Sequence, residues 1–294
     1  GKKLSFPLMI SALTGGCSVA EEINSALASV AQEQKVAIGL GSQRQLLEND
    51  RFVDSYRMVR RKAPDAVVLG NIGAEEAALL KGSDSIKKLV DIVEADGMVI
   101  HLNPLQEILQ PEGKGRFSGV LAGIERIAGD LDVPVIIKEV GCGISAEVAS
   151  SLASAGIEWI DVAGAGGTSW AAIESVRNRE SLIASCFREW GISTVDSILA
   201  VSSIPGMKII GSGGIRNGID IVKALALGCI LTGIALPFLR VYRKRGQEGV
   251  AAYIKRLGEE CKAALFLTGC RTTEDLHSKT PVRKVKQKKN GQYV

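Results

Sequence analysis

Residues 207–234 read MKIIGSGGIRNGIDIVKALALGCILTGI, and this stretch decides the fold. It holds two short apolar runs, Met207–Ile210 and Ile230–Ile234, on either side of a segment with helical spacing, Ile219–Leu227. Short runs rich in β-branched residues predict strands, and apolar residues spaced three and four apart predict a helix. A strand, a helix and a second strand in this order predict a parallel sheet with the helix packed on its outside.

The same alternation runs along the rest of the chain and predicts eight strand–helix units. The predicted strands are Leu8–Leu13, Val36–Leu40, Ala66–Leu69, Met98–Leu102, Val133–Ile137, Trp159–Val162, Met207–Ile210 and Ile230–Ile234. The predicted helices lie at about 19–34, 52–61, 86–94, 119–128, 146–154, 179–190, 194–201, 219–227 and 249–267. Eight units over about 260 residues are typical of a (β/α)8 or TIM barrel. We therefore predict a single-domain α/β barrel over residues 1–271 and a polar, basic tail over residues 272–294.

An open, doubly wound sheet is the alternative for a chain that alternates strands and helices. Such a sheet would need a glycine-rich phosphate fingerprint after its first strand. The residues there are Thr14-Gly15-Gly16, which do not fit the GxGxxG pattern. The barrel is therefore the fold that the pattern favours.

The composition of the 294 residues limits the class of function. The net charge is +4, but residues 283–289 supply five basic side chains, so the remaining chain is close to neutral and indicates no nucleic-acid surface. Six cysteines without a CxxC pair indicate reduced thiols. No apolar run reaches the roughly 18 residues that cross a bilayer, and no signal-peptide core opens the chain. We expect a soluble cytoplasmic protein with no membrane or nucleic-acid partner.

Glycine-rich turns after strands 7 and 8 predict a phosphate site. Gly213 and Gly214 follow strand 7, and Gly233 lies at the end of strand 8. In a barrel the active site lies at the C-terminal ends of the strands, and these two loops often bind phosphate. Glycine lets backbone N–H groups approach an anion closely, and we expect the helix after strand 7 to direct its positive end at the same point. The turns predict a cofactor that carries phosphate.

Two other features of the barrel mouth leave alternatives open. The glycine-rich stretch Ala163–Trp170 is either a flexible lid or, through the hydroxyl of Thr168, part of the phosphate site. Lys138 ends an apolar strand, where a buried ammonium group needs an anionic partner. It is a Schiff-base or general-base lysine, a cation that neutralises a bound anion, or one half of an ion pair with Glu139 or another carboxylate.

Polar side chains after strands 2 and 4 predict a second anion site. His101, Asn103, Gln106 and Glu107 follow strand 4, and a purely structural His101 is the alternative. A single carboxylate, Glu107, would hold Mg²⁺ only together with water and substrate phosphate. Arg44, after strand 2, would bind the same anion through its guanidinium fork.

These motifs, in this order, resemble the type 2 isopentenyl-diphosphate isomerase family over about residues 8–268. The combination of Ser-Gln-Arg with His-Leu-Asn-Pro-x-Gln-Glu is specific, whereas the strand 7 motif is shared with many FMN barrels. The motifs that carry the resemblance are Leu13–Gly16, Gly41–Arg44, His101–Pro104 with Gln106 and Glu107, Gly164–Trp170, and Gly211–Arg216. The resemblance implies FMN-dependent interconversion of isopentenyl and dimethylallyl diphosphate, with Mg²⁺ and with NADPH or another source of reduced flavin. It also implies a homo-oligomer, a tetramer or an octamer, in which reduced flavin acts as the acid and base.

The resemblance also implies roles for individual residues. Gln106 and His101 would be catalytic, and Glu107 would hold the metal. The residues that would contact the cofactor are Ala12, Leu13, Thr14, Ser42, Asn71, Lys138, Thr168, Gly213, Gly214, Ile215, Ala235 and Leu236. The residues that would contact the substrate are Ser42, Gln43, Arg44, His101, Asn103 and Gln106.

The chain departs from the family pattern at three places. Leu13 replaces a common Met, and Ala163 stands where other members have Ser or Gly, which would remove a hydroxyl contact to the flavin. The family carries an N-terminal extension whose Arg-Lys pair helps to bind the diphosphate, and this chain begins after that point. We therefore expect intact flavin binding and weakened substrate affinity.

Two rival functions remain open. An FMN-dependent 2-hydroxy-acid oxidase would share the phosphate turns, but it would need a histidine base and an arginine clamp in its loops. The loop Ala163–Trp170 holds neither. A catalytically silent flavin-binding barrel is the second rival, and the retention of His101, Gln106 and Glu107 argues against it.

Overall fold

A closed barrel of eight parallel strands forms the centre of the protein. The computed structural model describes residues 2–113, 115–178 and 182–279. The strands are β1 Leu8–Ile10, β2 Ala37–Gly39, β3 Val68–Gly73, β4 Gly97–Leu102, β5 Val135–Glu139, β6 Trp159–Asp161, β7 Lys208–Ser212 and β8 Cys229–Ile234. Each strand pairs with the next, and β8 closes the barrel on β1, where Ile10 lies opposite Ile234. The predicted single-domain (β/α)8 barrel is confirmed.

Helices cover the outside of the barrel. Those of the described residues are α1 Ser18–Gln34, α2 Asp54–Lys62, α3 Ala74–Leu79, α4 Asp84–Val93, α5 Pro104–Leu109, α6 Val120–Asp130, α7 Ala146–Ser154, α8 Trp170–Arg177, α9 Leu182–Cys186, α10 Thr194–Ser202, α11 Gly218–Ala226, α12 Leu236–Leu267 and α13 Asp275–Lys279. A 3-10 helix lies at Arg44–Leu47. No helix in this described part is long and apolar enough to cross a membrane. Free thiols are found at Cys17, Cys142, Cys229, Cys261 and Cys270.

A small apolar layer fills the inside of the barrel. It takes one residue from each strand: Met9, Ala37, Leu69, Val99, Ile136, Trp159, Ile210 and Leu231. Because successive side chains of a strand point to opposite faces, neighbours such as Ile10 and Ile38 lie instead in the main core beneath the helices. The filled interior leaves the C-terminal ends of the strands as the place for a ligand.

The element boundaries differ from the prediction mainly at this face. β1 ends at Ile10, and Ser11 and Leu13 follow it in the wall of a cavity. β3 continues to Gly73 because Asn71 still pairs with β4. Helices α3, α5 and α8 were not predicted, since six to eight residues carry little helical periodicity. Helix α12 begins at Leu236 rather than near residue 249.

Two predicted segments, the helix at 179–190 and the tail at 272–294, are only partly described. The helix predicted at 179–190 begins outside the described residues, and α9 covers Leu182–Cys186. Residues 272–279, which were assigned to the tail, include α13, where Leu276 is fully buried. The rest of the predicted tail, residues 280–294, lies outside the described part of the chain.

Candidate active site

A cavity of about 530 Å³ opens at the C-terminal ends of the strands. This volume is ordinary for a cofactor or small-molecule site. All eight strand ends contribute to its wall. The predicted site residues that line it are Ala12, Leu13, Ser42, Asn71, His101, Gln106, Lys138, Thr168, Gly213, Gly214, Ile215, Ala235 and Leu236. Most of the predicted cofactor residues are thus brought together.

The loops after β6 and β7 cross at one end of the cavity. Gly213 has a φ angle of 101°, and a Cβ atom there would lie 2.2 Å from the carbonyl oxygen of Gly164. The hydroxyl of Thr194 donates to the Gly213 carbonyl at 2.5 Å. Only glycine fits this crossing, and the β7 loop therefore presents bare backbone to the cavity, as an anion site requires.

The helix whose N-terminus lines the cavity is α12, and not α11, which was predicted for this place because it follows strand 7. Two backbone N–H groups at the start of α11 already donate to the side chains of Asn217 and Glu260. No side chain of the described residues caps the start of α12, and both Ala235 and Leu236 line the cavity. The positive end of the α12 dipole therefore faces the cavity and favours a negative group there.

Lys138 forms a buried ion pair beside the cavity that it lines. Its Nζ atom lies 3.1 Å from Oδ2 of Asp161, and the side chains are 12% and 1% exposed. The other oxygen of Asp161 accepts a hydrogen bond from the hydroxyl of Ser212 at 2.5 Å. The carboxylate of Glu139 is not the partner, because it accepts the backbone N–H groups of the next three residues. Of the roles considered for Lys138, the structure shows the ion pair.

His101 is held in one tautomer by Asn71. The amide nitrogen of Asn71 donates to the carbonyl of Leu40 at 2.9 Å, which leaves its Oδ1 facing Nδ1 of His101, also at 2.9 Å. A carboxamide oxygen can only accept, so Nδ1 carries the hydrogen and Nε2 of the neutral ring is an acceptor. Burial, followed by the positive charge of Lys138, lowers the pKa of His101 to about 4. The ring is neutral at pH 7.

A second pocket, of about 390 Å³, adjoins the cavity. Ser42, His101 and Gln106 line both spaces. The other residues of this pocket are Gly15, Gly16, Arg44, Gln45, Glu48, Tyr56, Glu75, Glu76, Asn103 and Glu107. Except for Gln43, the residues predicted for the substrate and the metal after strands 2 and 4 therefore meet here, next to the first cavity.

Negative charge dominates the second pocket. Nε of Arg44 lies 3.1 Å from Oε1 of Glu76, whose pKa is raised mainly by burial. The carboxylate of Glu107 accepts hydrogen bonds from the amides of Asn103 and Gln110 at 3.1 and 3.0 Å. With four glutamates and one arginine in its wall, the pocket would repel a free diphosphate.

A divalent cation fits this pocket only with further ligands. Within the described residues, no group of three or more histidine, cysteine, aspartate or glutamate side chains is arranged to hold a metal. Mg²⁺ is commonly held by one or two carboxylates together with water and substrate phosphates. Glu107 can therefore contribute to a Mg²⁺ site that the substrate completes.

Two predicted residues, Gln43 and Thr14, line neither space. Gln43 is fully buried, and its amide donates to the carbonyl of Leu89 and accepts from the N–H of Asn71, both at 3.0 Å. It therefore holds Asn71 in place. The carbonyl of Thr14 accepts from the N–H of Gly41 at 3.1 Å, which joins the β1 and β2 loops.

Residues at or beside the site that the sequence did not reveal include Ser11, Asp161 and Glu76. Ser11 lines the cavity, but its hydroxyl oxygen is buried and has no hydrogen-bond partner in the described part of the chain. Ser11 and Asp161 are polar residues at the ends of apolar strands, a signal that was readable. Glu76 had no such signal, because it lies on the short helix α3.

Comparison with known proteins identifies relatives over nearly the whole chain. The family model described as FMN-dependent dehydrogenase matches residues 112–283. An isopentenyl-diphosphate delta-isomerase of Pyrococcus abyssi is 43% identical over 286 residues, which are 94% of this chain and 77% of the relative. The enzyme of the same name from Methanothrix thermoacetophila is 44% identical over 287 residues, covering 96% and 79%.

A more distant likeness to solved structures concerns the fold alone. A flavocytochrome b2 double mutant with bound sulfite superposes with a TM-score of 0.68 at 18% identity, covering 94% of this chain and 69% of that one. The barrel, the two adjoining pockets and the relatives above 40% identity all indicate the same family. The chain belongs to the type 2 isopentenyl-diphosphate delta-isomerase family.

Proposed function

We propose that this chain interconverts isopentenyl diphosphate and dimethylallyl diphosphate, with reduced FMN and Mg²⁺, and that NADPH serves as the reductant. The observation that carries the proposal is the contact between the two spaces, which share Ser42, His101 and Gln106. A substrate whose diphosphate lies in the acidic pocket would extend its carbon chain past these residues into the cofactor cavity. The names of the relatives support the choice of substrate.

The cavity fits FMN on three counts. The bare β7 loop at Gly213 and Gly214 and the N-terminus of α12 suit the phosphate. Ser42 and Thr168 add two hydroxyl-bearing residues to the wall. Lys138 offers a cation near a reduced, anionic flavin, although Asp161 already neutralises part of its charge. When bound, reduced FMN would supply the group that moves a proton between two carbon atoms of the substrate.

The side chains of the second pocket would bind and orient the diphosphate. Arg44 would donate hydrogen bonds to phosphate oxygens. To do so it must break its ion pair with Glu76 or contact Glu76 and the phosphate at the same time. Mg²⁺ held by Glu107 would offset the negative charge of the pocket. Neutral His101 presents an acceptor at Nε2, so it donates to the diphosphate only after protonation, which the bound anion itself favours.

Gln106 lies at the junction and would orient the reacting end of the substrate. Its amide can donate and accept hydrogen bonds without carrying charge. It therefore suits a place beside an apolar carbon chain, where a second ionised group would be costly to desolvate. Trp170 and Ile173 also line the cavity and would offer apolar surface to the carbon chain of the substrate.

The experiment that tests the proposal starts from the visible spectrum of the purified protein. An oxidised-flavin spectrum, followed by anaerobic reduction with NADPH or dithionite and addition of isopentenyl diphosphate with Mg²⁺, should yield dimethylallyl diphosphate. Lactate and mandelate serve as the control for oxidase chemistry, and neither should reduce the flavin. A colourless protein that does not take up FMN, or a reduced protein that forms no product, would contradict the proposal.

A further inference from the structure

A groove on the outside of the barrel lies in a bend of helix α12. Gly246 has φ 60° and ψ −159°, so the residues before and after it run as two helical segments. The first segment contributes Arg240, Lys244 and Arg245 to the groove, and the second contributes Tyr253. The groove has a volume of about 570 Å³, which is large enough for an organic ligand.

Positive charge is concentrated in this groove. Its cationic lining residues are Arg216, Arg240, Lys244, Arg245 and Arg256, and no carboxylate of the described residues lines it. Arg256 pairs with Glu260 at 3.4 Å, and the other four form no ion pair within the described residues. Apart from the five basic residues at 283–289, the chain has 31 basic and 32 acidic residues. The groove therefore departs locally from an almost neutral chain, and unpaired like charges held close together are repulsive until an anion binds.

The floor of the groove is partly apolar. Leu236, Pro237, Val241 and Ala252 line it beside the ring of Tyr253. A ligand that carried only charge would leave this apolar surface exposed. An apolar or aromatic carrier would bury it, and the burial would stabilise binding by about 25 cal/mol per Å² of apolar surface. The charge and the floor together indicate a ligand with an anionic head and an apolar part.

The inner end of the groove meets the phosphate end of the cofactor cavity. Arg216, Leu236 and Pro237 line both spaces. The hydroxyl of Tyr253 donates to the carbonyl of Arg216 at 2.8 Å and so joins the groove wall to the loop after β7. The acidic second pocket has no lining residue in common with the groove. A ligand of the groove would therefore occupy a place separate from the proposed substrate site.

We infer that this groove binds an organic diphosphate, that is, two linked phosphate groups on an apolar or aromatic carrier. A guanidinium group binds two phosphate oxygens at once, and among the described residues no carboxylate pairs with Arg240 or Arg245. Nucleoside diphosphates and prenyl diphosphates share this chemistry. The inference does not depend on the isomerase reaction, because none of its residues lies in the acidic pocket.

The test measures binding to the FMN-loaded protein by calorimetry. The probes are ADP, geranyl diphosphate and inorganic pyrophosphate, each titrated into the wild type and into the triple variant Arg240→Gln, Lys244→Gln, Arg245→Gln. The matched control is Arg243→Gln, Lys255→Gln, Lys262→Gln, which removes three exposed cations of the same helix that do not line the groove. We expect at least one organic diphosphate to bind at the groove, with affinity reduced about tenfold or more in the groove variant and unchanged in the control. The flavin content should be equal in all three proteins.

The result also separates this inference from the proposed function. Arg44→Gln should weaken diphosphate binding at the acidic pocket and leave the groove event in place. Whichever organic probe binds more tightly identifies the carrier as nucleoside or prenyl. If both organic probes bind the groove variant as they bind the wild type, or if neither binds outside the acidic pocket, the inference is overturned. If inorganic pyrophosphate binds as tightly as the organic probes, the apolar floor does not contribute to binding, and the inference that the ligand has an apolar or aromatic carrier is overturned.

Discussion

The Nζ atom of Lys138 lies 3.1 Å from Oδ2 of Asp161, and these two residues are direct partners in the register of β5 and β6. Because Asp161 is 1% exposed, its replacement by asparagine leaves a buried ammonium without a counter-charge. We expect Asp161→Asn to lower the free energy of unfolding by about 3–5 kcal/mol, measured by urea denaturation.

The exposed pair Lys208–Glu158 is the control for this substitution. Its atoms are closer, at 2.7 Å, but the side chains are 45% and 65% exposed. Glu158→Gln should therefore leave the free energy of unfolding almost unchanged, because solvent screens the exposed pair. Equal effects of the two substitutions would show that burial does not decide the strength of the Lys138–Asp161 pair.

The lowered pKa of His101 predicts a pH dependence of stability. In the unfolded chain the imidazole titrates near about 6.5, whereas in the folded protein its pKa is about 4. Between these values the unfolded state binds more protons, so the free energy of unfolding falls as the pH is lowered from about 6.5 to 4, by up to about 3 kcal/mol. His101→Gln should remove this part of the profile. If the free energy of unfolding of His101→Gln depends on pH in the same way as that of the wild type, His101 is not the cause of this pH dependence.

Gly213→Ala should abolish flavin retention. A Cβ atom at this position would lie 2.2 Å from the Gly164 carbonyl, and the φ angle of 101° is unfavourable for alanine. Gly206→Ala is the matched control, because Gly206 also has a positive φ, 82°, but no atom within 4 Å of the added Cβ. It should cost about 1 kcal/mol of stability and leave the flavin spectrum unchanged. Equal loss of flavin in both variants would point to a general folding defect.

Arg44→Gln should weaken substrate binding and leave cofactor binding unchanged. Loss of a charge-assisted contact of about 1.5–3 kcal/mol raises the KM for isopentenyl diphosphate by about 10- to 100-fold. The flavin content should not change, because Arg44 lines only the second pocket. The control is Arg51→Gln, because Arg51 is exposed and stacks on Phe52. This substitution should leave the KM unaltered. An unchanged KM for Arg44→Gln would remove Arg44 from the substrate site.

Local patterns were sufficient for the barrel and for much of the cofactor cavity. Each strand–helix unit follows from hydrophobic spacing within about 30 residues. In a barrel, every strand end faces the same side, so the residues after the strands meet. Gly213, Lys138 and His101 were found in this way, and all three line the cavity.

Spacing along the chain could not reveal contacts that depend on the direction of a side chain. The family resemblance implied that Gln43 contacts the substrate, yet its amide points inward and holds Asn71. Glu76 lies on a helix too short to read, so the acidic character of the second pocket was not predicted.

The sequence by itself determined the eight-stranded barrel and the loops that carry the site, because both depend on periodicity and on residue types at strand ends. Only the tertiary structure decided that Asp161 is the partner of Lys138 and that the N-terminus of α12, not that of α11, lines the cavity. The physical reason is that hydrogen bonds and ion pairs between distant residues depend on how neighbouring strands and loops are placed in space.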